Sequence, residues 1–205
     1  MLPCFVQLQE WCKKVKMGKI GVFNHVTVDG FFAGPNGEID WFKLIKKDEE
    51  WERYTRGQAK SGSTLMFGHT TYEMMKSYWP TPDAVKNDPD MAGVVNNNPK
   101  IVISKTLESV EEGPNWKNIR ILNEIRPEEI LTLKQKEDIV IMGSGTILQQ
   151  LANFDLIDEY SLVVVPVILG DGRPLFKDVR KMNLKLLEAR AFKNGIVLLR
   201  YQPIR

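Results

Sequence analysis

The 205-residue chain carries 43% hydrophobic and 26% charged side chains, with 28 basic against 26 acidic residues and a net charge of +2. That length and balance describe one globular domain with a substantial core. They exclude a strongly basic nucleic-acid surface, and no apolar run is long enough to cross a bilayer.

Residues 1–17 read as an extension ahead of the domain, which starts at residue 18. Leu8, Trp11, Cys12 and Val15 would line one face of a short helix and Lys13, Lys14 and Lys16 another. Its lysines follow its apolar part, the wrong order for a signal peptide, so a cytoplasmic location is expected. Cys4 and Cys12 are the only cysteines, no Cys/His cluster has zinc spacing, and no metal is expected.

Ile20 to Val28 is β-branched and aromatic and reads as the first strand, ending in the turn signal Asp29-Gly30. Asn24 and His25 interrupt it, either lining a ligand cavity or sitting near a strand end. Phe31 to Asp40 is a glycine- and proline-bearing loop, long enough to cover something. A helix is expected from about Asp48 to Lys60, and Thr64 to Phe67 is a short strand. It runs into Gly68-His69-Thr70-Thr71-Tyr72-Glu73, a strand-to-helix junction whose helix ends near Tyr78-Trp79-Pro80. Residues 81–99 hold Pro82, Pro89, Pro99 and Gly93 and read as an irregular surface loop. Ile101 to Ser104 and Trp116 to Leu122 read as strands, and Pro127 to Gln135 as a helix with proline in its first turn.

Ile139 to Met142 is a continuously apolar run, as in a strand buried on both faces of a parallel sheet. Gly143-Ser144-Gly145-Thr146 follows, and then Ile147, Leu148, Leu151 and Phe154 recur at helical spacing. Ser144 or Thr146 can cap that helix. A strand, a glycine turn and a helix N-terminus suit a phosphate or pyrophosphate, or simply make a tight connection. The third glycine of the dinucleotide fingerprint would fall at Leu148, and no phosphate-loop motif occurs, which disfavours an ordinary dinucleotide-binding domain or a phosphate-loop NTPase. Tyr160 to Val165 is a β-branched strand, and 166–176 is a glycine-rich loop. Leu184 to Ala191 and Ile196 to Tyr201 close the chain as a hairpin around Lys193-Asn194-Gly195. The expected class is α/β: a mixed, mainly parallel sheet flanked by helices, with a C-terminal β-hairpin.

Five pieces in order carry a resemblance. They are Val28-Asp29-Gly30-Phe31-Phe32-Ala33, Phe67-Gly68-His69-Thr70-Thr71-Tyr72-Glu73, Ser104-Lys105-Thr106, Gly143-Ser144-Gly145, and the run from Pro166 to Phe176 with Leu169-Gly170-Asp171-Gly172. With Leu156-Ile157-Asp158-Glu159 they resemble the dihydrofolate reductase-like superfamily, and within it the reductase domain of the bifunctional riboflavin-biosynthesis deaminase–reductase and its stand-alone relatives. The resemblance covers about residues 18–203. No His-x-Glu or Pro-Cys-x-x-Cys deaminase motif is present.

The resemblance implies NADPH as cofactor and a small-molecule substrate, with neither nucleic acid nor membrane as partner. It implies phosphate contacts at Gly68, His69, Thr70 and Thr71, at Ser104 and Lys105, and at Gly143, Ser144, Gly145 and Thr146. His69 and Lys105 stand where the family commonly has arginine, which puts the choice of NADPH over NADH in doubt. It implies hydride transfer to a C=N or C=O bond of a small heterocyclic or ribosylamino-pyrimidine-like substrate. A dihydrofolate reductase proper and a nucleotide-binding protein without turnover are the alternatives. On the substrate side His25, Asp29, Trp41, Tyr72 and Trp79 are candidates, with Phe42 beside Trp41, and core packing is the competing role for the aromatics. Asp40, ahead of Glu38, is the candidate acid, because it directly precedes Trp41 at the expected mouth of an aromatic cavity. A homodimer is expected from the apolar strands at 160–165 and 184–201.

Overall fold

The computed structural model describes residues 17–59 and 62–205. The expected helix of the extension, with Leu8, Trp11, Cys12 and Val15, lies outside the described residues. In chain order the elements are β1 (Ile20–Thr27), β2 (Phe31–Ala33), a 3-10 helix (Asp40–Leu44), α1 (Glu49–Ala59), β3 (Thr64–Gly68) and α2 (His69–Tyr78). There follow α3 (Pro82–Asn87), α4 (Pro89–Asn97), β4 (Lys100–Ile103), β5 (Ile119–Leu122), α5 (Pro127–Lys134) and β6 (Ile139–Ile141). The chain ends with α6 (Gly145–Asn153), β7 (Glu159–Val165), β8 (Arg173–Pro174), β9 (Leu184–Ala191) and β10 (Val197–Pro203).

Eight strands form one sheet in the order β5-β4-β3-β6-β1-β7-β10-β9. The first six are mutually parallel, and the terminal hairpin adds β10 antiparallel to β7 and β9 antiparallel to β10. β1 sits inside the sheet, with Gly21 beside Val140 on one side and Glu159 on the other. The sheet is therefore mixed and mainly parallel, as expected.

Successive side chains of a strand point to opposite faces, so β1 serves two different environments. Ile20, Val22 and Val26 join Ile139, Ile141, Met66 and Ile101 in the main core, beneath Ile130 and Leu133 of α5 and Ile147, Leu148 and Leu151 of α6. The opposite face carries two smaller cores. Leu65, Phe67 and Val102 pack with Tyr72, Val95 and Trp116, and Val163 and Leu198 pack with Trp51, Phe192 and Ile196. Between those two clusters, over β1 and β6, this face is left open.

Residues 81–99 depart from expectation, forming two consecutive helices where an irregular loop was read. Thr81 Oγ1 accepts from the Ala84 N–H at 3.2 Å, and Asp88 Oδ1 accepts from the Met91 N–H at 3.0 Å. Pro82 and Pro89 occupy the first turn of each helix, where a missing N–H costs nothing. The prolines start helices here instead of breaking them. Phe154, expected on the apolar face of α6, lies past its end and is 47% exposed.

Candidate active site

Two strand-to-helix junctions meet at the carboxyl edge of the parallel strands, where open α/β sheets bind ligands. The Gly68 N–H donates to the Gly143 carbonyl at 3.3 Å, so the turn after β3 rests on the turn after β6. The contact tolerates no side chain: a Cβ on Gly68 would lie 2.6 Å from Ser144 Oγ, and one on Gly145 2.6 Å from the Phe32 ring. Gly143 has φ +109°, and the Gly143–Ser144 peptide bond is cis. Gly68 and Ser144 are the N-caps of α2 and α6, and neither helix has a side-chain cap bond. The Ser144 hydroxyl is instead 2.7 Å from Thr146 Oγ1. Two helix N-termini with uncapped N–H groups thus converge on one spot, which favours a negative charge.

A third junction follows β4. Ser104 Oγ accepts from the N–H groups of Thr106 (3.2 Å) and Leu107 (3.0 Å), which folds the chain into a tight turn. His69 Nδ1 lies 3.2 Å from Ser104 Oγ and 3.3 Å from Thr106 Oγ1, tying this turn to α2. Its Nε2 lies 3.8 Å from Glu73. Lys105 projects into solvent beside it.

From these junctions a cleft of about 1410 Å³ runs down the open face of the sheet. Its floor is Gly21, Phe23, His25, Val140 and Met142, and α1, α2 and α4 wall it. Thr70, Thr71, Gly143, Ser144 and Thr146 line its upper end. His25 packs within 4.9 Å of Phe42, 5.8 Å of Phe23 and 5.9 Å of Trp51, measured between ring centroids. Burial among those rings pulls its pKa down to about 4, so the imidazole is neutral at physiological pH.

Of the sequence candidates, His25 and Trp79 line the cleft, and Phe42 lines it beside His25. The other three substrate-side candidates do something else. Trp41 is 2% exposed and Tyr72 fully buried, and neither is on the cleft lining. Tyr72 is a core residue whose hydroxyl accepts from Trp116 Nε1 at 3.3 Å. Asp29 fastens a loop: it accepts from the Thr27 hydroxyl at 2.6 Å and from the N–H groups of Gly170 at 2.8 Å and Leu169 at 3.1 Å. The Thr27 hydroxyl first, and then those N–H groups, hold its carboxyl below the usual carboxylate range.

Glu38 and Asp40, expected at the cavity mouth, are both exposed and off the lining. Glu38 accepts from the Asn36 N–H at 2.8 Å and closes the loop on itself. Asp40 opens the 3-10 helix, where positions three apart share a side. Ile39 and Phe42 take the cleft side, which turns Asp40 outward. The residues missed from sequence are Met74, Met75, Met91 and Met142, all on the lining, which no motif marked.

Comparisons with known proteins agree with this architecture. The family model described as the RibD C-terminal domain matches residues 19–198. "Uncharacterized protein YyaP" of Bacillus subtilis (strain 168) is 30% identical over 179 residues, 86% of this chain and 90% of that protein. The Thermotoga maritima diaminohydroxyphosphoribosylaminopyrimidine deaminase/5-amino-6-(5-phosphoribosylamino)uracil reductase superposes with a TM-score of 0.65 at 15% identity, over 92% of this chain and 57% of that one. Dihydrofolate reductase from Enterococcus faecalis, complexed with NADP(H), gives a TM-score of 0.59 at 14% identity over 92% and 98% of the two chains, so the fold is dihydrofolate reductase-like. A match across nearly the whole described length, with the sheet order and carboxyl-edge junctions above, means that this chain belongs to the RibD C-terminal domain family of reductase domains.

Proposed function

We propose that the chain is an NADPH-dependent reductase that delivers hydride to a C=N or C=O bond of a small heterocyclic substrate held in the cleft. The reading rests above all on the paired, uncapped N-termini of α2 and α6 at the head of that cleft. They fit a pyrophosphate: Gly68 and Gly145, where a Cβ would lie 2.6 Å from Ser144 Oγ and the Phe32 ring, let the two turns close up and bring both helix N-termini to one spot. In this reading Gly143–Thr146, with Thr70 and Thr71, hold the pyrophosphate. The Ser104–Thr106 turn, with His69 and Lys105, holds the further phosphate of NADPH. When bound, the cofactor supplies the hydride, and the protein supplies orientation and exclusion of water.

The proton has another source. Neutral His25 cannot serve as an acid near pH 7, because its pKa is about 4. Asp40 and Glu38 lie off the lining. A water is therefore the donor in this reading. No helix among the described residues is long and apolar enough to cross a membrane. The outer edge of β9 bears Leu186 and Leu187, 52% and 42% exposed, and we take this edge as a homodimer surface that light scattering would test.

The deciding experiment is NADPH binding by calorimetry, followed by oxidation assays against dihydrofolate, the phosphoribosylamino-uracil and simple imines. Lys105→Ala should weaken NADPH about tenfold, a charge-assisted contact being worth roughly 1.5–3 kcal/mol, and weaken NADH much less. Undetectable NADPH binding sinks the reading. Binding with no turnover of any acceptor leaves a nucleotide-binding protein without catalysis.

A further inference from the structure

The lower cleft is longer and less charged than a phosphorylated pyrimidine needs. Its β1 edge, from Lys19 to His25, extends for about 20 Å at roughly 3.3 Å per residue. The whole cleft, cofactor end included, has a volume of about 1410 Å³, above the ~300–1,000 Å³ of a pocket for one ordinary ligand. Length and volume leave room for a sizeable acceptor below the cofactor end.

Formal charges on the lining lie along its amino-terminal part and at the opposite, carboxyl-edge mouth. Lys19 and Asp138 stand at the amino-terminal mouth, Glu159 beside Gly21, Arg200 in the row of Ser161 and Phe23, and Arg173 and Lys177 at the other mouth. Arg200 is already neutralised: it donates to Glu159 at 2.8 Å and to Glu188 at 2.9 Å. Arg173 Nε donates to the Pro35 carbonyl at 3.3 Å. Between that Arg200 row and the carboxyl-edge mouth, no Asp, Glu, Lys or Arg lines the wall among the described residues, and the one histidine is held neutral. A phosphate placed there would be buried without a counter-charge.

What does line the middle is Met74, Met75, Met91 and Met142, with Phe42 and Trp79. Thioethers are polarizable, have three rotatable bonds and pack against ring edges, so such a wall adapts to flat apolar ligands of different outline. Met75 Sδ already takes the Trp79 Nε1–H at 3.0 Å, an aromatic–sulfur pair built into the wall. Gly21 leaves the floor open, since a Cβ built there meets nothing within 4 Å.

We infer that this cleft takes an uncharged, flat, multi-ring carbonyl or imine as hydride acceptor, in place of a phosphorylated ribosylamino-pyrimidine. The inference rests on the reductase reading for its chemistry. NADPH is the reductant, its hydride bonds to the carbonyl carbon, the C=O π pair moves to oxygen, and that oxygen takes a proton from water. What remains is NADP⁺, the alcohol and hydroxide.

The test is calorimetry with 9-fluorenone, an uncharged three-ring ketone, and with the phosphoribosylamino-uracil, each in the presence of saturating NADPH. Fluorenone should bind in the micromolar range and the phosphorylated compound at least tenfold more weakly. Gly21→Leu, which raises the floor, should weaken fluorenone tenfold or more and leave NADPH affinity within twofold. Met74→Arg puts a charge on a wall position that is 39% exposed, where misfolding is not a concern, and should also weaken fluorenone. Tighter binding of the phosphorylated compound overturns the inference, as does fluorenone affinity indifferent to both variants. Loss of NADPH binding alone, with fluorenone bound as expected, would overturn the reductase reading and leave the assignment of the cleft standing.

Discussion

The two faces of the central sheet are built from alternate residues of the same strands, and they do different work. On one face Ile20, Val22 and Val26 are sealed beneath α5 and α6. On the other, Gly21, Phe23 and His25, each the immediate neighbour of a core residue, form the floor of a cleft. A β-strand has a side-chain period of two, so one eight-residue segment can stabilise with one face and bind with the other. Substitutions on the two faces should therefore separate cleanly into losses of stability and losses of binding.

The largest effect belongs to the filled face. Ile141 is fully buried, and Ile141→Ala should cost about 2–5 kcal/mol in urea unfolding, from lost burial plus the cavity left behind. Met74→Ala, across the sheet on the cleft wall, should cost well under 1 kcal/mol, the usual range for a part-exposed side chain. Equal losses would mean that the open face is as tightly packed as the other.

Next in size is a pH dependence that sits on the cleft face. His25 has a folded pKa of about 4 against an ordinary value of 6.5. Between these values the unfolded chain binds the proton and the folded chain refuses it. Stability is therefore complete above about pH 6.5 and falls as the pH drops toward 4, by at most about 3 kcal/mol. His25→Phe should flatten that limb of the unfolding profile. An unchanged limb would assign the acid sensitivity to other groups.

The third effect lies where the faces meet at the carboxyl edge. Gly145→Ala drives a methyl group to 2.6 Å from the Phe32 ring and should displace the α6 N-terminus. NADPH affinity should fall ten- to a hundredfold, about 1.4–2.8 kcal/mol, and Phe32→Leu should restore part of it. Titration of the single and double variants decides. No rescue would mean that the methyl acts on the cofactor directly.

How far the sequence disclosed these two faces follows from the kind of signal each leaves. The parallel core strands are continuous β-branched runs and the C-terminal hairpin has Asn194-Gly195 at its turn, with Gly195 at φ +87°. Gly68, Gly143 and Gly145 marked the carboxyl edge because only glycine allows such backbone contact. The cleft wall left no comparable trace. Four methionines, two on α2, one on α4 and one just past β6, converge only after folding, and a Trp or Tyr in or beside a helix reads the same whether it lines a cavity, as Trp79 does, or fills a core, as Tyr72 does. Pro82 and Pro89 misled for a related reason: proline ends one helix and begins another, and only the Thr81 and Asp88 caps before them tell which.

Asp40 gives the smallest expected effect and the sharpest separation between the two accounts of the substrate side. Its place directly before Trp41 suggests a carboxylate at the mouth of an aromatic cavity. As such a group it would relay a proton, and Asp40→Asn would lower kcat by roughly 10²-fold. The fold turns it away. The 3-10 spacing gives the cleft to Ile39 and Phe42, Trp41 is buried at 2% exposure, and Asp40 is left in solvent at the start of the turn. Asp40→Asn should therefore leave kcat and NADPH affinity within about twofold and shift stability by no more than about 0.5 kcal/mol, the range of ordinary surface substitutions. Phe42→Ala, two residues on, should raise KM for an apolar acceptor and relax the packing that keeps His25 neutral, moving the acid limb of the unfolding profile. A 10²-fold fall in kcat for Asp40→Asn would show that the loop from Gly34 to Asp40 closes over the substrate and swings the carboxylate inward. The same fall for Phe42→Ala alone would place the aromatic ring, and no acid, at the reacting bond.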